Sequence, residues 1–121
     1  MKTILIVEDE FAIADMLASV LEDEGYRVLR ASNGKEGLAR LSEMRPDLVL
    51  CDIMMPVLDG RSMVQMMKND PALAKVPVIL MSAAGEPRSE SGADDFGFIG
   101  KPFELDILLK MIDKCLGKPA D

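Results

Sequence analysis

A chain of 121 residues, 49% apolar and 29% charged, is long enough for one domain with its own core and has the profile of an ordinary globular protein. Twenty-one acids against fourteen bases leave a net charge of −7, which argues against a basic nucleic-acid surface and sets the expectation of no direct nucleic-acid contact. With no histidine, neither a Ser-His-Asp or Cys-His catalytic unit nor a His-ligated zinc site can be built, so any chemistry rests on carboxylates, hydroxyls, lysine and a hard cation.

The first apolar run, Ile4 to Val7, suits a strand and gives way at once to Glu8, Asp9 and Glu10. Four apolar residues before an acid are too few for a secretory signal, and no apolar run in the chain is long enough to span a bilayer. A cytoplasmic location without membrane contact is therefore expected. From Phe11 to Glu24, Ile13, Met16, Leu17, Val20 and Leu21 recur at helical spacing, and Gly25 supplies a stop. A second strand covers Arg27 to Ala31. Asn33 can cap a second helix, in which Leu38 and Leu41 share a face before Pro46 ends it.

The third strand, Leu48 to Cys51, runs into Asp52. Cys51 and Cys115 show no motif spacing, and Cys51 reads as a buried reduced thiol. A third helix after Gly60 carries Met63, Met66 and Met67, which fit core filling better than a ligand box. A fourth strand, Val78 to Met81, leads to Ser82, and a fifth, Phe98 to Ile99, leads to Lys101 and Pro102. The last helix, from Glu104, aligns Leu105, Leu108, Leu109, Ile112 and Leu116 in one stripe.

Strands without alternation are covered on both faces, and their regular exchange with helices predicts an α/β fold with a doubly wound, five-stranded parallel sheet. Ligands in such folds sit outside the carboxyl ends of the strands. Glu8, Asp9, Asp52, Ser82 and Lys101 all follow strands and so share that edge. Separately each has a plainer use: the acidic pair as a solvated helix N-terminus, Asp52 as a turn former, Ser82 as a cap. Together they match phosphoryl transfer. Asp52 can attack phosphorus, while Mg²⁺ and Lys101 offset charge on the transferring oxygens. A phosphohydrolase with an aspartyl nucleophile would carry a second Asp two residues on, where this chain has Met54. A flavodoxin-like cofactor binder would need a phosphate-cradling loop where Glu8, Asp9 and Glu10 stand.

The segments "ILIVEDE" (4–10), "DLVLCDIMMPVLDG" (47–60), "VPVILMSA" (76–83) and "GKPF" (100–103) together resemble the receiver domain of two-component response regulators. The resemblance covers essentially the whole chain and implies a flavodoxin-like (βα)5 receiver fold over residues 1–121. It implies a regulatory domain rather than an enzyme, catalysing only its own phosphotransfer and dephosphorylation. Asp52 would be the phosphoacceptor, taking its phosphoryl group from a sensor histidine kinase or a histidine phosphotransfer protein and signalling to a protein target. Asp9, Asp52 and the backbone carbonyl of Met54 would ligate Mg²⁺, with Glu8 acting through a water. Lys101 would pair with the phosphoryl oxygens and Ser82 would swing toward them. Phe98 would move with Ser82, with Phe96 as the rival of the same strand parity, and Pro56 and Gly60 would shape the loop after the acceptor.

The stretch "AAGEPRSESGADDFGFIG" (83–100) departs from the family's pattern in being short, rich in glycine and without an apolar stripe. A short or mobile fourth helix is expected there, so the resemblance does not license inferring a standard dimer through the face of the fourth helix, fifth strand and fifth helix. Met54 and Ala84, flanking the phosphate, are apolar and orient no water, so the acyl phosphate is not expected to be especially short-lived. With "GKPAD" at 117–121, no output domain is expected in this chain, which reads as a stand-alone receiver; the alternative is a receiver excised from a longer regulator with a DNA-binding or enzymatic output.

Overall fold

The computed structural model describes residues 2–53, 58–82, 96–100 and 104–116. Along the chain run β1 (Thr3–Val7), α1 (Phe11–Asp23), β2 (Arg27–Ala31), α2 (Gly34–Met44), β3 (Leu48–Asp52), α3 (Gly60–Lys68), β4 (Val78–Ser82), β5 (Phe96–Gly100) and α4 (Leu105–Leu116). All neighbouring strands pair in parallel, in the order β2-β1-β3-β4-β5. Strand order reverses at β1, so the crevice between the carboxyl ends of β1 and β3 is the topological switch point.

Burial on both faces explains the unbroken apolar strands. In β1, Ile4 and Ile6 join the core under α1 and α4, while Leu5 and Val7 join the opposite core under α2 and α3. Ile4 to Val7 are fully buried. Gly25 ends α1 in the left-handed region (φ 97°), and the amide of Tyr26 then reaches back to the carbonyl of Leu21 at 3.0 Å. The Tyr26 hydroxyl donates to Asp113 Oδ1 at 3.4 Å, linking the entry of β2 to α4.

Two helical stripes differ from the sequence expectation. In α1 the buried face is Ala14, Leu17, Ala18 and Leu21, and Met16 is 41% exposed. Small alanines let the helix lie close to the sheet, which rotates Met16 off the interface. In α3, Met63, Val64 and Met67 are buried, whereas Met66 is 51% exposed. The last helix follows its stripe: Leu108 and Ile112 are buried, with Leu105, Leu109 and Leu116 packed partly against them. The fifth strand starts at Phe96, two residues before the expected Phe98, and includes Gly100. The expected fourth helix falls within 83–95, outside the described residues. Among the described residues no helix is long and apolar enough to cross a membrane.

Candidate functional site

Strand register assembles the site. Val7 pairs with Cys51, so the next residues, Glu8 and Asp52, stand level at the carboxyl ends of β1 and β3. Both are buried, at 2% and 4% exposure, and Asp9 beside them is exposed. One carboxylate oxygen from each of Glu8, Asp9 and Asp52 can be chosen so that all three lie within 4.8 Å of one another. Glu8 Oε2 also accepts the Glu10 amide at 3.2 Å.

Three carboxylates at that spacing repel one another, and a cation relieves the repulsion. An all-oxygen set with two buried groups and one open to water fits Mg²⁺, a hard ion that keeps part of its water shell. The residues present therefore fit the ion that the sequence implies.

The backbone of Asp52 is tightly held. Its carbonyl accepts the Cys51 thiol at 3.3 Å, and a Cβ placed on Gly60 would come within 2.6 Å of the same oxygen. Only glycine there lets the first turn of α3 lie on the Asp52 peptide. The Gly60 amide donates to the Ile53 carbonyl at 3.0 Å, and Asp59 caps α3 by accepting the Ser62 amide at 2.8 Å. Burial pushes the Cys51 thiol well up, and the neighbouring carboxylates of Asp52, Glu8 and Asp59 add to it.

Of the remaining expected residues, Ser82 closes β4, where its backbone pairs with Gly100 of β5, one strand beyond the Asp52–Met81 pair. Phe98 pairs with Leu80, and Phe96 with Val78. The side chains of Ser82, Phe96 and Phe98 lie outside the description, as do Met54, Pro56 and Lys101 entirely.

Three features escaped the sequence reading. Arg30 of β2 stacks its guanidinium over Phe11, 4.8 Å from the ring centre, and pairs with Asp15 at 3.3 Å. Phe11 is nonetheless 73% exposed. Beside this group a cavity of about 170 Å³ opens from Glu8 and Asp9 toward Arg30, Ser32 and Glu36. Gly34, at the start of α2, lies hard against Leu58. Its only signal in the sequence is an Asn-Gly dipeptide, which ordinarily means a turn.

Comparison with known proteins agrees with this geometry. The family model described as "Response regulator receiver domain" matches residues 4–113. The DNA-binding dual master transcriptional regulator RpaA of Synechocystis is 35% identical over 117 residues, covering 93% of this chain and 48% of that protein. The chain spans about half the length of the curated relatives it matches. Among solved structures, the receiver domain of a Syntrophus aciditrophicus signal transduction histidine kinase has a TM-score of 0.86 at 37% identity, covering 96% of this chain and 90% of its own. The receiver domain of a Pseudomonas aeruginosa sensor histidine kinase, with a magnesium ion coordinated in its active site cleft, has a TM-score of 0.85 at 25% identity, covering 97% and 98%. With its parallel sheet, its strand-end carboxylates and a family match over nearly its whole length, this chain belongs to the response regulator receiver domain family.

Proposed function

We propose that Asp52 is the phosphoacceptor of a signalling switch that works with Mg²⁺. The observation that carries the reading is the convergence of Glu8, Asp9 and Asp52 within 4.8 Å, with Asp52 buried at the end of a rigid central strand. A carboxylate oxygen of Asp52 attacks phosphorus. The P–N bond to the donor imidazole breaks, and the departing nitrogen keeps the electron pair and takes up a proton. Asp9, Asp52 and the Met54 carbonyl would hold Mg²⁺, with Glu8 acting through a water. When bound, the ion offsets charge on the transferring oxygens. Lys101 pairs with the phosphoryl oxygens, and Ser82 moves toward them together with Phe98, biasing a two-state equilibrium.

The donor is a sensor histidine kinase or histidine phosphotransfer protein, and the output passes to a protein target in the cytoplasm. The net charge of −7 supports protein rather than nucleic-acid contact by this domain. Catalysis is confined to gain and loss of its own phosphoryl group.

Intact mass after incubation with acetyl phosphate, with and without Mg²⁺ and beside Asp52→Asn, tests the reading. One phosphoryl group that requires both Mg²⁺ and Asp52 is expected. A folded wild-type protein that takes none, or an adduct that persists in Asp52→Asn, overturns it.

A further inference from the structure

We propose that Gly34, on a different helix from the acceptor loop, is a positioning residue for that loop, a role that rests on the reading of Asp52 above. A Cβ built at Gly34 would collide with the carbonyl oxygen of Leu58, standing 3.0 Å from its Cβ and 3.1 Å from its carbonyl carbon. The colliding atom belongs to the backbone, so no rotamer change relieves it. Conformational freedom is not the reason for glycine here. Gly25 is the positive-φ glycine among the described residues, and Gly34 begins an ordinary helix. What the position requires is the absence of a side chain.

The helix bearing Gly34 is firmly seated. Asn33 accepts the Glu36 amide at 2.8 Å, and Glu36 Oε1 accepts the Ser32 amide at 2.7 Å, a reciprocal cap that fixes the entry of α2. One turn on, Gly37 lets α2 nest against Val7 and Met63; a Cβ there would be 3.0 Å from the Val7 Cγ2 and Met63 Sδ atoms.

The acceptor loop is thus clamped at both described ends. Upstream, the Ile53 amide donates to the Met81 carbonyl at 2.9 Å, and Gly60 lies on the Asp52 carbonyl. Downstream, Leu58 rests on Gly34. Between Ile53 and Leu58 stand only residues 54–57, among them Met54, whose carbonyl is the expected third ligand. Displacing Leu58 therefore disturbs Gly60, two residues on, whose backbone lies directly on the Asp52 carbonyl. Misplacement of a reacting group by about 1 Å can cost on the order of a hundredfold in rate.

The test pairs Gly34→Ala with Gly37→Ala in the full chain. Both add one methyl group to the same buried face of α2, but the nearest atoms to a Gly37 Cβ, at 3.0 Å, belong to the Val7 and Met63 side chains, whereas Gly34 meets a backbone oxygen. Mg²⁺ affinity by calorimetry and the rate of acetyl phosphate incorporation are measured for each. Gly34→Ala is expected to weaken Mg²⁺ binding and slow phosphorylation by about tenfold or more, and Gly37→Ala to stay within about twofold. Gly34→Ala matching wild type, or both variants slowing in step with lost stability, overturns the proposal.

A second measurement needs no variant and holds if Gly34→Ala fails to fold. On titration of the wild-type protein with Mg²⁺ alone, the Gly34 amide resonance is expected to shift with the same midpoint as Asp9, while Gly25 stays still. A silent Gly34 overturns the proposal. Failure of wild type to accept phosphate would instead fault the reading of Asp52, and the Mg²⁺ titration would still decide the role of Gly34.

Discussion

Cys51 and Asp52 are neighbours in β3 that face opposite sides of the sheet, one thiol sealed in the α2–α3 core and one carboxylate at the crevice. The thiolate is the reactive form of cysteine, and burial among carboxylates holds Cys51 protonated. Cys115 is exposed on α4; partial burial raises its thiol and Lys114 opposes the rise. Iodoacetamide at about pH 8 is therefore expected to alkylate Cys115 alone in the native protein, with a second adduct only in denaturant. Two adducts on the folded protein by intact mass would contradict the sealed site. The buried thiol was legible from its apolar run, and the carboxylate cluster from the rule that strand ends share an edge. The Arg30–Phe11–Asp15 group was not, because it depends on α1 crossing beside the edge strand β2, which no local pattern encodes.

The faces of α1 and α3 were legible in period but not in phase. In α1 the residues Ile13 to Leu21 allow more than one stripe, and the sheet selects the one that contains Ala14 and Ala18. The same ambiguity put Met66 on the surface. The stop of α2 was expected from Pro46, and the helix does end just before it, at Met44, with Arg45 capping it in the left-handed region, φ 44°. A side chain there costs on the order of 1 kcal/mol, and glycine avoids it. Arg45→Gly is accordingly expected to raise stability by about 0.5–1 kcal/mol, read as a higher urea midpoint at unchanged slope. A midpoint that falls would show that the Arg45 side chain contributes more than its backbone strain removes. The close seat of Gly34 on Leu58 was hidden for a different reason: Asn-Gly carries a strong turn meaning that masks a steric one.

For the whole molecule, strand–helix alternation and right-handed crossovers sufficed to foresee the sheet and its binding edge, since few other topologies bury such strands on both faces. Bringing three carboxylates together is expected to make stability depend on a cation. Mg²⁺ at a hundred times its dissociation constant is expected to stabilise the fold by about 2.7 kcal/mol, seen as a raised melting temperature. Asp9→Asn, a substitution at an exposed site, should raise the metal-free melting temperature by relieving repulsion and abolish most of the Mg²⁺ increment. An undiminished increment in that variant would remove Asp9 from the ligand set.

The two ends of the sheet differ in a way that bears on self-association. At one end β2 carries Arg27 and Arg30, and charged side chains on an edge strand discourage a neighbouring chain from adding to it. At the other end β5 reads "FGFIG", with no charge and two glycines. Among the described residues, then, one backbone rim of the sheet is guarded by charge on its own strand and the other, at β5, carries none, so a chain that loosens in a crowded solution is expected to be less protected at β5 than at β2.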